Sequence, residues 1–263
     1  MKPSGIPYLD FAWNPGGFGC TKRCPTCWAE RQTHGQAAPQ CPQCKRFEVH
    51  FHPERLGLLG KIKEAAVVGV QFVGDLFDPA RSRKEIFSVL DACDRAFWQT
   101  HVFLTQRYEI AFMLLREWSA SRNMQLAKAT WWIGTTCHNQ DELNHAADLF
   151  GNDQPAGERG QRTRWNWWVS AEPLRGPIMI NGRPRPSLVV LGADNQASEP
   201  YNIAWHRQSA EAFTRAGVLV YMKQLWLPGH EFPQNRLVKE LSEFPADLRV
   251  RQLPWRLVTK ENP

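Results

Sequence analysis

Apolar and polar positions along the chain follow two alternating rhythms. Val67 to Val73 is a nearly unbroken apolar run closed by Gly74-Asp75, the pattern of a strand buried on both faces of a parallel sheet. Ser82 to Phe97 follows with apolar residues at helical spacing. The pair then recurs. His101 to Thr105 predicts a strand and Tyr108 to Ala120 a helix; Ala129 to Thr136 predicts a strand and Asp141 to Phe150 a helix. Trp165 to Ala171, Ser187 to Gly192 and Val218 to Lys223 add three strands, with a helix over Trp205 to Ala216 between the last two. Ahead of this series, Tyr8 to Trp13 reads as a first strand ended by the turn signal Asn14-Pro-Gly-Gly, and Phe47-Glu-Val-His-Phe51 alternates with period two as a second.

Eight candidate strands interleaved with helices predict an α/β fold of (β/α) barrel type, complete or partly open. The expected domain is residues 1–228, including a cysteine-rich loop over 14–46. Residues 152–164 are polar and read as an exposed loop, and 229–263, charged and carrying Pro233, Pro245 and Pro254, as a tail packed on the barrel. No repeat period marks a solenoid.

Composition narrows the classes. Hydrophobic residues make up 43% and charged residues 22%, which excludes a disordered, collagen-like or coiled-coil chain. No apolar stretch approaches the length of a membrane span, and the N-terminal segment has no apolar run of the export type. The expectation is therefore a soluble, cytoplasmic protein with no membrane partner. Thirty-two Lys and Arg against 26 Asp and Glu give +6, which favours an anionic partner such as nucleic acid if the charge gathers on one face. Twelve Trp can stack on bases, although large aromatics more often fill cores.

In a parallel barrel, chemistry sits where strands end. Those ends are unusually polar here: Asn14; His50 and His52; Asp75 and Asp78; Thr105, Gln106 and Arg107; Thr135, Thr136 and Asn139; Ser170 and Glu172; Asp194 and Asn195; Lys223 and Gln224. Thr105, Asp78 and Asn139 are equally suited to capping the helices that follow. Glu172 and Lys223 directly follow strongly apolar strands, where a charge needs a partner, water or a ligand.

Five of seven cysteines lie between Cys20 and Cys44, a crowding that suggests metal rather than disulfides. Cys20, Cys24 and Cys27 are spaced C-x3-C-x2-C in the loop after the first strand. Three thiolates of that kind can hold three corners of a [4Fe–4S] cluster and leave one iron for an outside ligand. The rival arrangement joins Cys24, Cys27, Cys41 and Cys44 as two C-x2-C knuckles around tetrahedral zinc. A third gives Cys41 and Cys44 a separate metal completed by His34, His50 or His52. Cys93 and Cys137 fit small buried hydrophobes.

The blocks Ala12-Trp-Asn-Pro, Gly19-Cys-Thr-Lys, Cys27-Trp-Ala-Glu-Arg31, His52-Pro-Glu-Arg-Leu56 and Gly74-Asp-Leu-Phe77 occur in that order. They are followed by Phe103-Leu-Thr-Gln-Arg107, Trp132-Ile-Gly-Thr-Thr136, Val169-Ser-Ala-Glu-Pro-Leu174, Gly176-Pro-Ile178, Ala216-Gly-Val218 and Lys223-Gln224. Together, from about Tyr8 to Pro254, they resemble the phage-associated three-cysteine-motif family of radical S-adenosylmethionine type. The resemblance implies a barrel, a [4Fe–4S] cluster on Cys20, Cys24 and Cys27, S-adenosylmethionine as co-substrate, an electron-donor protein, and a nucleic-acid or nucleotide-derived substrate for modification or repair. Thr26 stands where the radical enzymes usually carry an aromatic residue, with Trp28 just after. The Cys41 and Cys44 knuckle looks like an addition to the family pattern.

On this reading Asp75, Asn139, Ser170 and Glu172 are candidates for the cofactor's hydroxyls and ammonium, which need carboxylate or amide acceptors. Lys223, Gln224 and Arg107 are candidates for an anionic group. Two other classes compete: a zinc-ribbon nucleic-acid-binding protein without catalysis, and a zinc hydrolase built on His50, His52 and Asp75.

Overall fold

The computed structural model describes residues 3–35, 39–121, 130–153, 165–195, 201–228 and 235–260. Eight strands are hydrogen-bonded in chain order in one mostly parallel sheet: β1 (Phe11–Trp13), β2 (Val67–Val70), β3 (Thr100–Thr105), β4 (Thr130–Thr136), β5 (Asn166–Ala171), β6 (Leu188–Gly192), β7 (Leu219–Pro228) and β8 (Asn235–Val238). Six α-helices accompany them: α1 (Trp28–Gln32), α2 (Pro42–Lys45), α3 (Arg83–Arg95), α4 (Tyr108–Ser121), α5 (Gln140–Asp153) and α6 (Ile203–Arg215). The fold is mixed α/β, as the alternating rhythms predict. No described helix is long and apolar enough to cross a membrane.

The chain divides into two compact units, the first comprising Met1–Ile133, Arg162–Asn166 and Trp255–Asn262. In this unit β1 pairs in parallel with β2, with Phe11 opposite Val68, and β2 with β3, with Val68 opposite His101. All four residues of β2 are buried, so the strand needs no polar face. Its run stops earlier than the apolar pattern suggests because Gln71 takes a positive φ of 59° and turns the backbone away. Helix α3 starts on a capping box: Ser82 Oγ accepts from Glu85 N, and the Glu85 carboxylate accepts from Ser82 N at 2.9 Å. Trp118 of α4 stacks on Trp131 at 5.1 Å and donates to Asp91 of α3 at 2.8 Å. Trp13, Trp118 and Trp131 are fully buried, so these tryptophans are core.

The second unit comprises Gly134–Gln161, Trp167–Pro254 and Pro263. Here β5 pairs in parallel with β6 and β6 with β7, while β8 returns antiparallel along the extended end of β7, with Trp226 opposite Leu237. Helix α6, capped by Asn202 accepting from Ala204 N at 2.9 Å, packs on β6 and β7. Cys137 is buried, as is Cys93 in the first unit, in keeping with their reading as small hydrophobes.

Two strand assignments differ from expectation. Residues 47–51 form no strand: Phe47 has a positive φ of 54°, and His52 N donates instead to Pro15 O at 2.7 Å. The eighth strand comes from within 229–263, where Asn235–Val238 finds a hairpin partner in β7. The predicted loop over residues 152–164 lies almost wholly outside the described residues.

Candidate metal centres and strand-end site

In the first unit the cysteine loop leaves β1 through a turn anchored at almost every residue. Asn14 Oδ1 accepts from Phe72 N at 2.8 Å and Val73 N at 3.3 Å. Gln71, fully buried, accepts from Gly16 N and donates to Gly17 O, each at 2.7 Å. Gly19 bridges in parallel to Gly74, and a Cβ on Gly19 would fall 2.2 Å from Glu48 O, so the close approach requires glycine. The segment bearing the thiols is thereby tied to the ends of β1 and β2.

The loop next meets the end of β3. Thr21 N and Oγ1 both donate to Asp78 Oδ2, at 2.7 and 2.9 Å, and Arg107 Nη2 donates to Thr21 Oγ1 at 3.0 Å. Burial works to raise the Asp78 carboxyl, but the N–H groups of Thr21 and Ala80 outweigh it and hold the group below the usual carboxylate range. Cys24 Sγ lies 3.7 Å from Gln106 Oε1. Arg23 reaches across to Glu30 at 2.8 Å and to Arg46 O at 2.9 Å.

All three sulfurs are half-buried. Cys27 caps α1, its Sγ accepting from Glu30 N at 3.4 Å, and Cys20 Sγ accepts from Lys22 N at 3.4 Å. Backbone N–H bonds to sulfur stabilise thiolates and tune iron–sulfur centres, so this donor set fits such a cluster. Free Cys20 is pushed up to about 12, chiefly by burial, and Cys27 is raised by the same cause.

A second group lies at the base of the same loop. One ligand atom each from Cys41, Cys44, His50 and His52 falls within 4.8 Å of the others, and this group can hold a metal ion. Cys44 Sγ is 3.2 Å from His50 Nε2 and 3.5 Å from His52 Nε2, and Cys41 Sγ is 3.6 Å from His50 Nε2. The Cys2His2 donor set suits zinc better than an iron–sulfur cluster. Cys24 and Cys27 are not in it, so the ribbon of four cysteines is not the grouping that forms. Neither is Asp75, so the hydrolase triad of His50, His52 and Asp75 is not assembled. His34 is outside the group as well.

Asp75 is otherwise engaged. Its carboxylate oxygens lie 2.9 and 2.8 Å from Thr105 Oγ1 and accept from Phe77 N at 2.9 Å and Gln106 N at 3.1 Å. Burial raises its pKa against those bonds. The residue fixes the end of β2 to the end of β3. Sequence reasoning missed Arg81, whose buried guanidinium donates to Asp75 O at 3.0 Å, His50 O at 2.6 Å and Gly16 O at 3.1 Å. It also missed Gln71, whose signal is a polar side chain in an otherwise apolar stretch; Arg81, in the polar run Asp78-Pro-Ala-Arg-Ser-Arg-Lys-Glu85, carries no such signal.

In the second unit, the end of β5 and the middle of β7 bring Ser170, Glu172 and Lys223 into a chain. Ser170 Oγ donates to Glu172 Oε1 at 3.1 Å, and Lys223 Nζ to Glu172 Oε2. The charges that the apolar strands seemed to strand are paired. Gln224 Nε2 donates to Ala193 O at 2.6 Å, pinning β7 to the end of β6. Asn139 Oδ1 accepts from Glu142 N at 2.9 Å, the helix-capping geometry at the start of α5.

A family model described as "Protein of unknown function (DUF5131)" matches residues 3–244. No curated protein matches the chain, and no solved structure does.

Proposed function

The chain belongs to that DUF5131 family, and from this premise we propose that it is a radical S-adenosylmethionine enzyme acting on nucleic acid or a nucleotide-derived substrate. The observation that carries the reading is the loop after β1: Cys20, Cys24 and Cys27 are each half-buried, and the sulfurs of Cys20 and Cys27 accept backbone N–H bonds. A bound [4Fe–4S] cluster would supply there the electron that splits S-adenosylmethionine into methionine and a hydrogen-abstracting 5′-deoxyadenosyl radical.

The chain's own residues would hold and screen that chemistry. Asp78 and Thr21 fix the loop's entry, and Gln106 and Arg107 bring polar groups beside it, Gln106 next to Cys24. Trp28, 39% exposed directly after the third cysteine, offers an aromatic face for an adenine in place of the missing aromatic residue at Thr26. In the second unit, taken by itself, Ser170, Glu172 and Lys223 gather a hydroxyl, a carboxylate and an ammonium of the kind that a polar ligand engages. The same reading takes the βα series as a (β/α) barrel, and includes a cytoplasmic setting and an electron-donor protein.

Iron and acid-labile sulfide, measured per chain after anaerobic purification, test the reading. About four irons with matching sulfide in the wild type, lost in Cys20→Ala, are expected, followed by formation of 5′-deoxyadenosine from S-adenosylmethionine. Absence of sulfide, with Cys20→Ala indistinguishable from the wild type, overturns it. That result would favour a second reading, a metal-stabilised nucleic-acid-binding protein, which the Cys41, Cys44, His50 and His52 group supports.

A further inference from the structure

The two histidines of the second group are fixed in a revealing way. His50 Nδ1 faces the carbonyl of Glu48 at 2.7 Å, and His52 Nδ1 faces the carboxylate of Glu54 at 2.9 Å. Both partners only accept, so each Nδ1 carries the hydrogen and donates it. In the neutral rings each Nε2 is then a bare lone pair, and the two Nε2 atoms lie 2.8 Å apart with both sulfurs within 3.6 Å of His50 Nε2. The two bare Nε2 lone pairs repel at that distance unless a cation, a proton or a metal ion, sits between them, and the two adjoining sulfurs make the position one that a thiophilic metal ion suits. A carbonyl or carboxylate behind each histidine is also the usual support of a metal-bound imidazole.

We propose that Cys41, Cys44, His50 and His52 form a closed structural zinc site, distinct from the Cys20, Cys24 and Cys27 set, whose ion locks the turn from which that loop springs. A tetrahedron with Zn–N and Zn–S bonds of about 2.0–2.3 Å has edges of roughly 3.3–3.8 Å; the 3.2–3.6 Å sulfur–nitrogen separations are close to that, and the two Nε2 atoms, 2.8 Å apart, need to part by about half an ångström to take the ion. Two thiolates neutralise the dication, and four protein donors leave no position for substrate, which marks the site as structural.

Zinc chemistry reaches the loop through direct contacts. Gly17 has φ of +60° and packs so close that a Cβ there would lie 2.6 Å from His50 Nε2. Phe18 N donates to Cys44 Sγ at 3.5 Å, the kind of bond that steadies a coordinated thiolate. Arg81 joins His50 O to Gly16 O, and His52 N donates to Pro15 O. Ordering four donors from 41–52 therefore orders residues 15–18 with them. The inference stands without the radical reading, since it needs neither iron nor S-adenosylmethionine.

The test is metal content of the full chain after zinc loading, with Cys24→Ala, Cys44→Ala and His50→Ala beside the wild type. About one zinc per chain is expected in the wild type and Cys24→Ala, and loss in Cys44→Ala and His50→Ala. Because those two variants can also misfold, the wild type is loaded with cobalt(II): the intense visible bands of tetrahedral thiolate-bound cobalt support the site. No zinc, weak octahedral cobalt bands, or zinc lost in Cys24→Ala but kept in Cys44→Ala overturns it. Limited trypsin digestion tests the locking: chelation should loosen the backbone so that the bonds after Arg23 and Arg31 are cut faster, and an unchanged cleavage pattern refutes that role. Iron and sulfide content report on the radical reading separately.

Discussion

At His101, on β3, burial alone drives the imidazole down from 6.5 to about 3, with the ring edge-on to Trp131 at 6.5 Å. The folded chain keeps this residue neutral while the unfolded chain protonates it below 6.5. Stability is therefore complete above that value and is lost as pH falls from 6.5 towards 3. The loss attributable to this group reaches on the order of 2 kcal/mol by about pH 5. Replacing it with an aromatic ring of similar size, His101→Phe, should flatten that part of the profile in denaturant melts across the range. A slope unchanged by the substitution would mean that other groups set the acid sensitivity. Residue-level chemistry of this kind is barely legible in sequence, because nothing marks one histidine as buried and another, such as His50, as part of a group able to hold a metal until their neighbours are known.

Among the elements, α3 shows how much local pattern can specify. Ser82 and Glu85 lie three apart before an apolar stripe, and the helix starts there on both reciprocal bonds. Ser82→Ala should cost about 1 kcal/mol and lower the melting temperature by roughly 2–4 °C, read by thermal denaturation. Strands β2, β3, β5 and β6 were legible for the same reason, their apolar runs ending at turn residues. The segment 47–51 was not: its alternation is real, but Phe47 in the left-handed region and the engaged histidines make it a ligand-bearing connection. Strand β8 was hidden in a polar stretch, since it needs only one edge of β7. The metal group was half visible: Cys41-x2-Cys44 was plain, while the choice among His34, His50 and His52 depended on how the chain turned after α2.

For the molecule as a whole, Asp10 joins distant parts of the sequence in the first unit. Its fully buried carboxylate accepts from Val67 N at 2.9 Å, Val258 N at 2.9 Å, and Thr259 N and Oγ1 at 2.8 and 2.7 Å. Lys260 Nζ donates to Ile6 O and Leu9 O, and Trp255 Nε1 to Tyr8 O at 3.1 Å. Asp10→Ala would leave several donors unpaired and should cost about 3 kcal/mol in chemical denaturation; a loss below about 1 kcal/mol would show that water replaces the carboxylate. Between Val67 and Val258 lie residues 68–133 of the first unit as well as the second unit through Pro254. A ribosome thus delivers the first strand, the cysteines and everything through Pro254 before it makes Val258 and Thr259, which supply three of the four donors to Asp10. Until residues 255–260 follow, the first unit lacks most of the donors that satisfy the Asp10 carboxylate, so its closure belongs to a late step of synthesis.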